Sequence, residues 1–398
     1  MKVLLVHNRY QHPGGEDVVF AAEVELLTRA GHRVIQYVRW NEEIATRGWL
    51  GRARLAASTL WARDSYHAVR DLVRRECPDV AHFHNTFPLV SPAAYYACRE
   101  GGVPVVQTLH NYRLLCPAAT FLRNGRPCEL CLGRGVPWPG VLHRCYRRSR
   151  AASAVVAAML AYHRSRRTWS DQVNCYIALT EFSRQKFVQG GLPADRTIAK
   201  PNFVYPDPGP RRTEGRYALF VGRLSAEKGL TTLLEAWKRV PEPVPLVLAG
   251  DGPERARLEA AASDVGCVRF LGRLSREAVI AAMHQASFLV FPAECYENFP
   301  LTIAEAFACG VPVIATRLGA MAEIVADGRT GLHFAAGDPD DLAAKVVWAL
   351  SHPHEMEAMG RAARAEYEAK YTSERNYEML MEIYERAARQ RSDLWPRR

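Results

Sequence analysis

At 398 residues the chain exceeds what one hydrophobic core organises and suits two domains of ordinary size. With 48% hydrophobic and 24% charged residues it has a globular composition, which excludes a disordered or membrane-spanning chain. The net charge of +10 is uneven: residues 1–200 hold 28 Lys/Arg against 15 Asp/Glu, a net +13, and residues 201–398 hold 24 against 27, a net −3. Two different partners would account for that asymmetry, as would an arginine-rich solvated surface.

In chain order, "KVLLVH", "RVIQYV", "DVAHFH", "VPVVQTLH" and "CYIALT" are short β-branched runs separated by longer amphipathic stretches, the pattern of βαβ units and parallel sheets. The proline-rich "PNFVYPDPGPRRTEG" (201–215) reads as a linker. The pattern restarts with "YALFVGRL", "PLVLAGDG", "CVRFLGRL", "SFLVFP", "VPVIAT" and "GLHF", and residues 339–390 are helical by period. The expected fold is therefore α/β, with two doubly wound Rossmann-like domains that bind ligands beyond the carboxyl ends of their strands. No run approaches the ~18 apolar residues of a spanning helix. The apolar stretch of "MKVLLVHNRY" is too short for a signal-peptide core, so the expected location is cytoplasmic.

Two segments carry chemistry. Arg223 and Lys228 flank a turn closed by Gly229 before the helical "LTTLLEAWK". Two cations beside a helix N-terminus suit a diphosphate, the alternative being a solvated loop. A near copy at 270–279 has Ala278 where the second cation would stand. Farther on, Glu297 follows a strand end, Pro300 suits a helix's first turn, and Glu305 lies within that helix. Carboxylates grip vicinal hydroxyls, so this pair suits one sugar and one ribose with backbone amides between; a plain loop acid and helix-face acid are the alternative.

The GRLS-x-x-KG loop (222–229), GDGP (250–253), FLG (270–272) and E-N-F-P-L-T-x-x-E-A-x-A-x-G-V-P-V-I-A-T (297–316), in that order, resemble the retaining GT-B glycosyltransferases of family 4. Residues 14–34, 108–117 and 178–187 are similar to the family less sharply. The resemblance implies an acceptor-side domain over 1–205, carrying a Cys-rich insert at 116–145 and packed against by a C-terminal helix at 373–390. It implies a donor-binding domain over 206–372, with a cleft between the two. In it Arg223 and Lys228 match the diphosphate pair, Glu305 the ribose acid and Glu297 the donor-sugar acid. Phe299, Leu301 and Thr302 around Pro300 supply amides, and Gly222, Gly250 and Leu271 complete the donor set. His110 faces the reacting centre, and Gly14 and Gly15 form a glycine loop. Catalysis would fall to His110, Glu297, Arg223 and Lys228 with no cofactor required. Asn298 and Asn111 depart from the Gly and Asp common at those positions. The implied reaction moves a sugar, with retention, from a UDP- or GDP-linked donor to a glycan or lipid-linked acceptor. A nucleotide-sugar epimerase on the same fold is the alternative enzyme. A nucleic-acid-binding protein, suggested by the +13 half alone, lacks a stacking-aromatic motif, and no nucleic-acid partner is expected.

Four cysteines, Cys116, Cys128, Cys131 and Cys145, are spaced C-x11-C-x2-C-x13-C. This spacing suits a structural Zn2+, with His143 able to replace one thiolate, or else four unligated thiols. Residues 49–63 and 146–169 mix arginine with apolar residues at helical spacing. They are expected either to lie on an anionic membrane at its cytoplasmic face or to cover a sheet with solvated arginines.

Overall fold

The computed structural model describes residues 1–11, 14–44 and 48–394. Contacts divide the chain into two compact units. The first comprises Met1–Thr120, Glu129–Pro201 and the segment from Asn376; the second comprises Phe121–Cys128 and Asn202–Arg375.

The first unit is built on strands β1 (Lys2–Arg9), β2 (Arg33–Trp40), β3 (Val80–Asn85) and β4 (Val105–Leu109). A hairpin, β5 (Leu122–Arg123) and β6 (Arg126–Pro127), interrupts the series before β7 (Cys175–Ala178) and β8 (Thr197–Ala199). Every pair in the six-stranded sheet, ordered β2-β1-β3-β4-β7-β8, is parallel. β3, β4 and β7 are buried along their whole length, as central strands of a sheet covered on both faces are. The hairpin belongs to the second unit and turns on Asn124-Gly125, both left-handed, which is the turn chemistry that two-residue hairpins need. The helix Ser373–Leu394 joins the first unit: Tyr384 Oη lies 2.9 Å from His82 Nδ1, and Asn376 Nδ2 donates to the Pro201 carbonyl at 2.9 Å.

The second unit is wound on β9 (Tyr217–Val221), β10 (Leu246–Ala249), β11 (Val268–Gly272), β12 (Ala286–Phe291), β13 (Val313–Thr316) and β14 (Gly331–Phe334). All pairs are parallel, in the order β11-β10-β9-β12-β13-β14. Counted within the unit this is 3-2-1-4-5-6, the dinucleotide-fold order, whose winding reverses between β9 and β12. Phe220, Leu233, Leu248, Phe288 and Ile314 lie at the centre of its core. The expected helical region 339–390 is three helices, Pro339–Ser351, Pro353–Lys370 and Ser373–Leu394. Pro353, which has no N–H to donate, ends the first and opens the second.

Among the described residues no helix is long and apolar enough to cross a membrane. Of the two basic stretches, 146–169 supplies the helix Arg150–Ser165, whose Val156, Ala157, Met159 and Leu160 are buried, so it covers the fold and keeps its apolar face inside. In 49–63, the side chains of Trp49 and Leu50 lie outside the described residues. Exposed apolar side chains gather instead in the insert, at Leu130, Val136, Trp138 and Leu142.

Candidate functional site

In the second unit two loops bracket the reversal point. After β9 the chain runs through Gly222 and Arg223 to a 3-10 turn, Ala226–Lys228, then Gly229 and the helix Leu230–Trp237. Gly229 is left-handed at φ +68, and a Cβ there would lie 1.9 Å from the Pro292 carbonyl oxygen, so only glycine lets the two loops meet. Gly250 fits equally closely against the Gly222 carbonyl, at 1.8 Å for an added Cβ. Glu294 N donates to the Glu227 carbonyl at 3.0 Å and Thr232 Oγ1 donates to Glu294 Oε1 at 2.7 Å, which ties the loops together.

This arrangement places Lys228 Nζ 2.5 Å from Glu297 Oε1, each side chain one-fifth exposed. Burial alone would depress the ammonium, but Glu297 outweighs it and the Lys228 pKa is raised. Arg223 is exposed and makes no ion pair among the described residues. Pro300 stands one position earlier than a first-turn proline: it is the N-cap, and the helix runs Leu301–Ala308, so the free amides begin at Leu301 and Thr302. Glu305 lies within that helix and is 8% exposed. Burial pushes its carboxyl up to about 7, against a weak opposing pull from Arg276, 4.0 Å away. Leu271, half-buried, closes β11 beside Gly272. The expected donor residues other than Gly15, which lies in the first unit, are thus carried by the second unit, with Lys228 and Glu297 in direct contact.

In the first unit His110 directly follows β4. Its Nε2 lies 3.0 Å from His84 Nδ1, with the rings stacked at 5.2 Å. Gly14 is the N-cap and Gly15 the first residue of the helix Gly15–Arg29; a Cβ on either would meet nothing within 4 Å, so the backbone there is open. Asn111 Nδ2 donates to Glu16 Oε1 at 2.7 Å, so where the family commonly has Asp this chain sets an amide against a carboxyl from a distant helix. Burial pushes Glu16 up to about 7, against the hydrogen bonds from Asn111 and Tyr10. Asn85, Thr86, Gln107, His110, Asn111 and Arg113 line a recess with room for about 30 Å3. Glu16, Glu23, His84 and Lys200 were not singled out from sequence. The one available signal was "HFH" in β3, two histidines on the same face of a strand.

Among the described residues, the one group of three metal-capable side chains with donor atoms within 4.8 Å is Glu23, His82 and His84; Cys116, Cys128, Cys131 and Cys145 do not converge in this way. Cys128 closes the hairpin, its amide donating to the Phe121 carbonyl at 2.6 Å, and falls with the second unit, while the other three belong to the first. Backbone turns such as Cys145 N to Gly140 O, and the Lys186–Glu129 pair at 2.7 Å, help to order the insert.

Two family models account for most of the chain: "Glycosyltransferase Family 4" matches residues 13–207 and "Glycosyl transferases group 1" matches residues 205–366. The chain belongs to the group 1, family 4 glycosyltransferases. This glycosyltransferase is similar to an uncharacterised glycosyltransferase of Methanocaldococcus jannaschii, 32% identical over 176 residues, 43% of this chain and 49% of that protein. It is also similar to the D-rhamnosyltransferase WbpZ of Pseudomonas aeruginosa, 33% identical over 180 residues, 42% of this chain and 47% of that protein. The matches thus span about half the length of these curated relatives. Among solved structures, Anabaena HepE in complex with UDP and glucose shares the fold at a TM-score of 0.68 and 19% identity, over 97% of this chain and 99% of that one.

Proposed function

We propose that this glycosyltransferase transfers a sugar, with retention of configuration, from a nucleoside diphosphate sugar to a hydroxyl of a glycan or lipid-linked acceptor. The observation that carries this reading is the Lys228–Glu297 contact on two loops bracketing the β9/β12 reversal, with exposed Arg223 on one and a helix N-terminus ending the other. Arg223, Lys228 and the amides of Leu301 and Thr302 stabilise the charge that develops on the leaving diphosphate. Glu297 holds the donor sugar and Glu305 the ribose hydroxyls. His110 accepts a hydrogen bond at the reacting end, and the acceptor enters the recess beside it. With no carboxylate assigned as nucleophile, the leaving phosphate assists attack on the same face. UDP is the favoured nucleotide, because HepE was solved with UDP and glucose; GDP is the other choice.

A thermal-shift panel with UDP, GDP, ADP, CMP and their sugars tests the donor site. A ligand that binds only the folded state at 100 times its Kd adds about 2.7 kcal/mol of stability. One diphosphate, UDP first, is expected to stand out, and a flat response to all of them removes the assignment.

The acceptor-side partner proposed is an anionic membrane at its cytoplasmic face, through the insert. Exposed Leu130, Val136, Trp138 and Leu142 lie in one short stretch with exposed Arg134, Arg144, Arg147 and Arg148. Arginine around an exposed tryptophan and leucine suits headgroups above and acyl chains below. Co-sedimentation with phosphatidylglycerol vesicles, weakened by Trp138→Ser with Leu142→Ser, is the expected result; equal binding to neutral vesicles overturns it.

A further inference from the structure

We infer that Glu23 fixes the tautomer of His110 through His84, so that His110 presents a bare Nδ1 as a hydrogen-bond acceptor. Glu23, His84 and Lys200 act here as positioning residues.

The chain of contacts starts at Lys200, 1% exposed, whose Nζ donates to Glu23 Oε1 and Asn376 Oδ1, each at 3.1 Å. Burial would raise the Glu23 carboxyl, but Lys200 outweighs it, with the neighbouring histidines, and holds the group well below the usual carboxylate range. An ionised carboxylate only accepts hydrogen bonds. Its Oε2 lies 3.2 Å from His84 Nε2, neither atom meets full hydrogen-bond geometry with any partner, and a bare Nε2 lone pair would repel a carboxylate at that distance. His84 Nε2 therefore carries hydrogen. With one ring hydrogen, on Nε2, His84 has a bare Nδ1. That bare nitrogen is 3.0 Å from His110 Nε2, so Nε2 of His110 must carry the hydrogen and donate it. The remaining nitrogen, Nδ1 of half-buried His110, has no partner among the described residues, and the ring lines the recess.

The neighbouring groups leave the sequence of donors intact. His82 spends both nitrogens on hydroxyls, Tyr384 Oη at 2.9 Å and Thr108 Oγ1 at 2.8 Å. His7 is tied to Asp17 Oδ1 at 2.9 Å. The same contacts disfavour a cation among Glu23, His82 and His84: both nitrogens of His82 are engaged and the Lys200 ammonium already sits on Glu23.

What the bare Nδ1 meets, a donor or acceptor hydroxyl, rests on the function proposed above; the tautomer does not. Two-bond 1H–15N correlation spectra of the 15N-histidine-labelled full chain at pH 7.5 read it directly, the His110 signals being those lost in His110→Asn. Nε2 in the N–H range and Nδ1 in the bare range are expected. Nδ1–H, or both nitrogens protonated, overturns the inference. In Glu23→Gln the amide can donate to His84 Nε2, which reverses both rings. The His110 pattern is then expected to convert, wholly or in part, to Nδ1–H, with kcat falling roughly tenfold, as when an orienting partner is lost, and KM for the donor little changed. A folded Glu23→Gln with the wild-type tautomer overturns the relay. If Glu23→Gln does not fold, the wild-type spectrum decides alone. Absence of sugar transfer together with the expected tautomer removes the proposed function and leaves this inference standing.

Discussion

Lys228→Ala is expected to lower kcat with the nucleotide sugar selected by the thermal panel by roughly 10³-fold, the scale of losing a preorganised charge at a developing anion. The effect has two sources. The ammonium that would meet the leaving diphosphate is gone, and Glu297, 2.5 Å from it in the parent, is left with its charge facing an incoming anion. Lys228→Ala with Glu297→Gln removes the second source but not the first. The double variant is therefore expected to recover nucleotide binding more than turnover. Glu297→Ala alone lowers turnover through the sugar while Lys228 keeps its grip on phosphate. Steady-state kinetics on the three variants check this, and activity within threefold of the parent in Lys228→Ala would remove the lysine from the chemistry.

Glu305→Gln is expected to make the ligand-free protein more stable and its nucleotide binding about 10²-fold weaker, the scale of two lost charge-assisted hydrogen bonds. The carboxyl is raised from 4.5 to about 7 in the folded chain. A raised carboxyl costs nothing below pH 4.5. As pH rises from there toward 7 the unfolded chain gives up the proton first and folding stability falls. At pH 8 the cost is on the order of 3 kcal/mol, which the neutral amide avoids. The gain in Glu305→Gln should therefore be largest at pH 8 and fade toward pH 4.5. Nucleotide affinity of the parent should rise as pH passes 7 and the carboxylate is freed to accept from hydroxyls. Denaturant melts and titration calorimetry at pH 5, 7 and 8 read both trends. A destabilised variant that binds nucleotide unchanged would show that Glu305 is a packing residue.

The loops proposed for the donor were legible because each is carried in one continuous segment. Residues 222–229 and 297–305 each hold a strand end, a turn and a helix start, and in a parallel sheet that succession alone directs side chains to the carboxyl edge. Which loops adjoin was not legible: the 3-2-1-4-5-6 order, decided by packing over the whole unit, brings Lys228 to Glu297 across 69 positions. Cysteine spacing is subject to the same limit. It specifies distances along the chain, while convergence of sulfur atoms depends on which core each turn packs against, and Cys128 went with a different unit from its three companions. The helix Arg150–Ser165 shows the ordinary ambiguity of an amphipathic pattern, since the same period serves a lipid face or a buried one and only neighbouring elements choose.

By itself, then, the order of residues determined the α/β winding, the unit cores and the strand–turn–helix loop at 222–229, all local consequences of burial period and turn chemistry. Only the tertiary structure decided the surroundings of His110. Its histidine partner comes from the adjacent strand β3, the carboxylate behind that from the helix Gly15–Arg29, and the lysine behind it from the end of β8, 177 positions from Glu23. Buried polar groups must find partners wherever the fold brings them, and no spacing rule along a chain specifies a contact of that range.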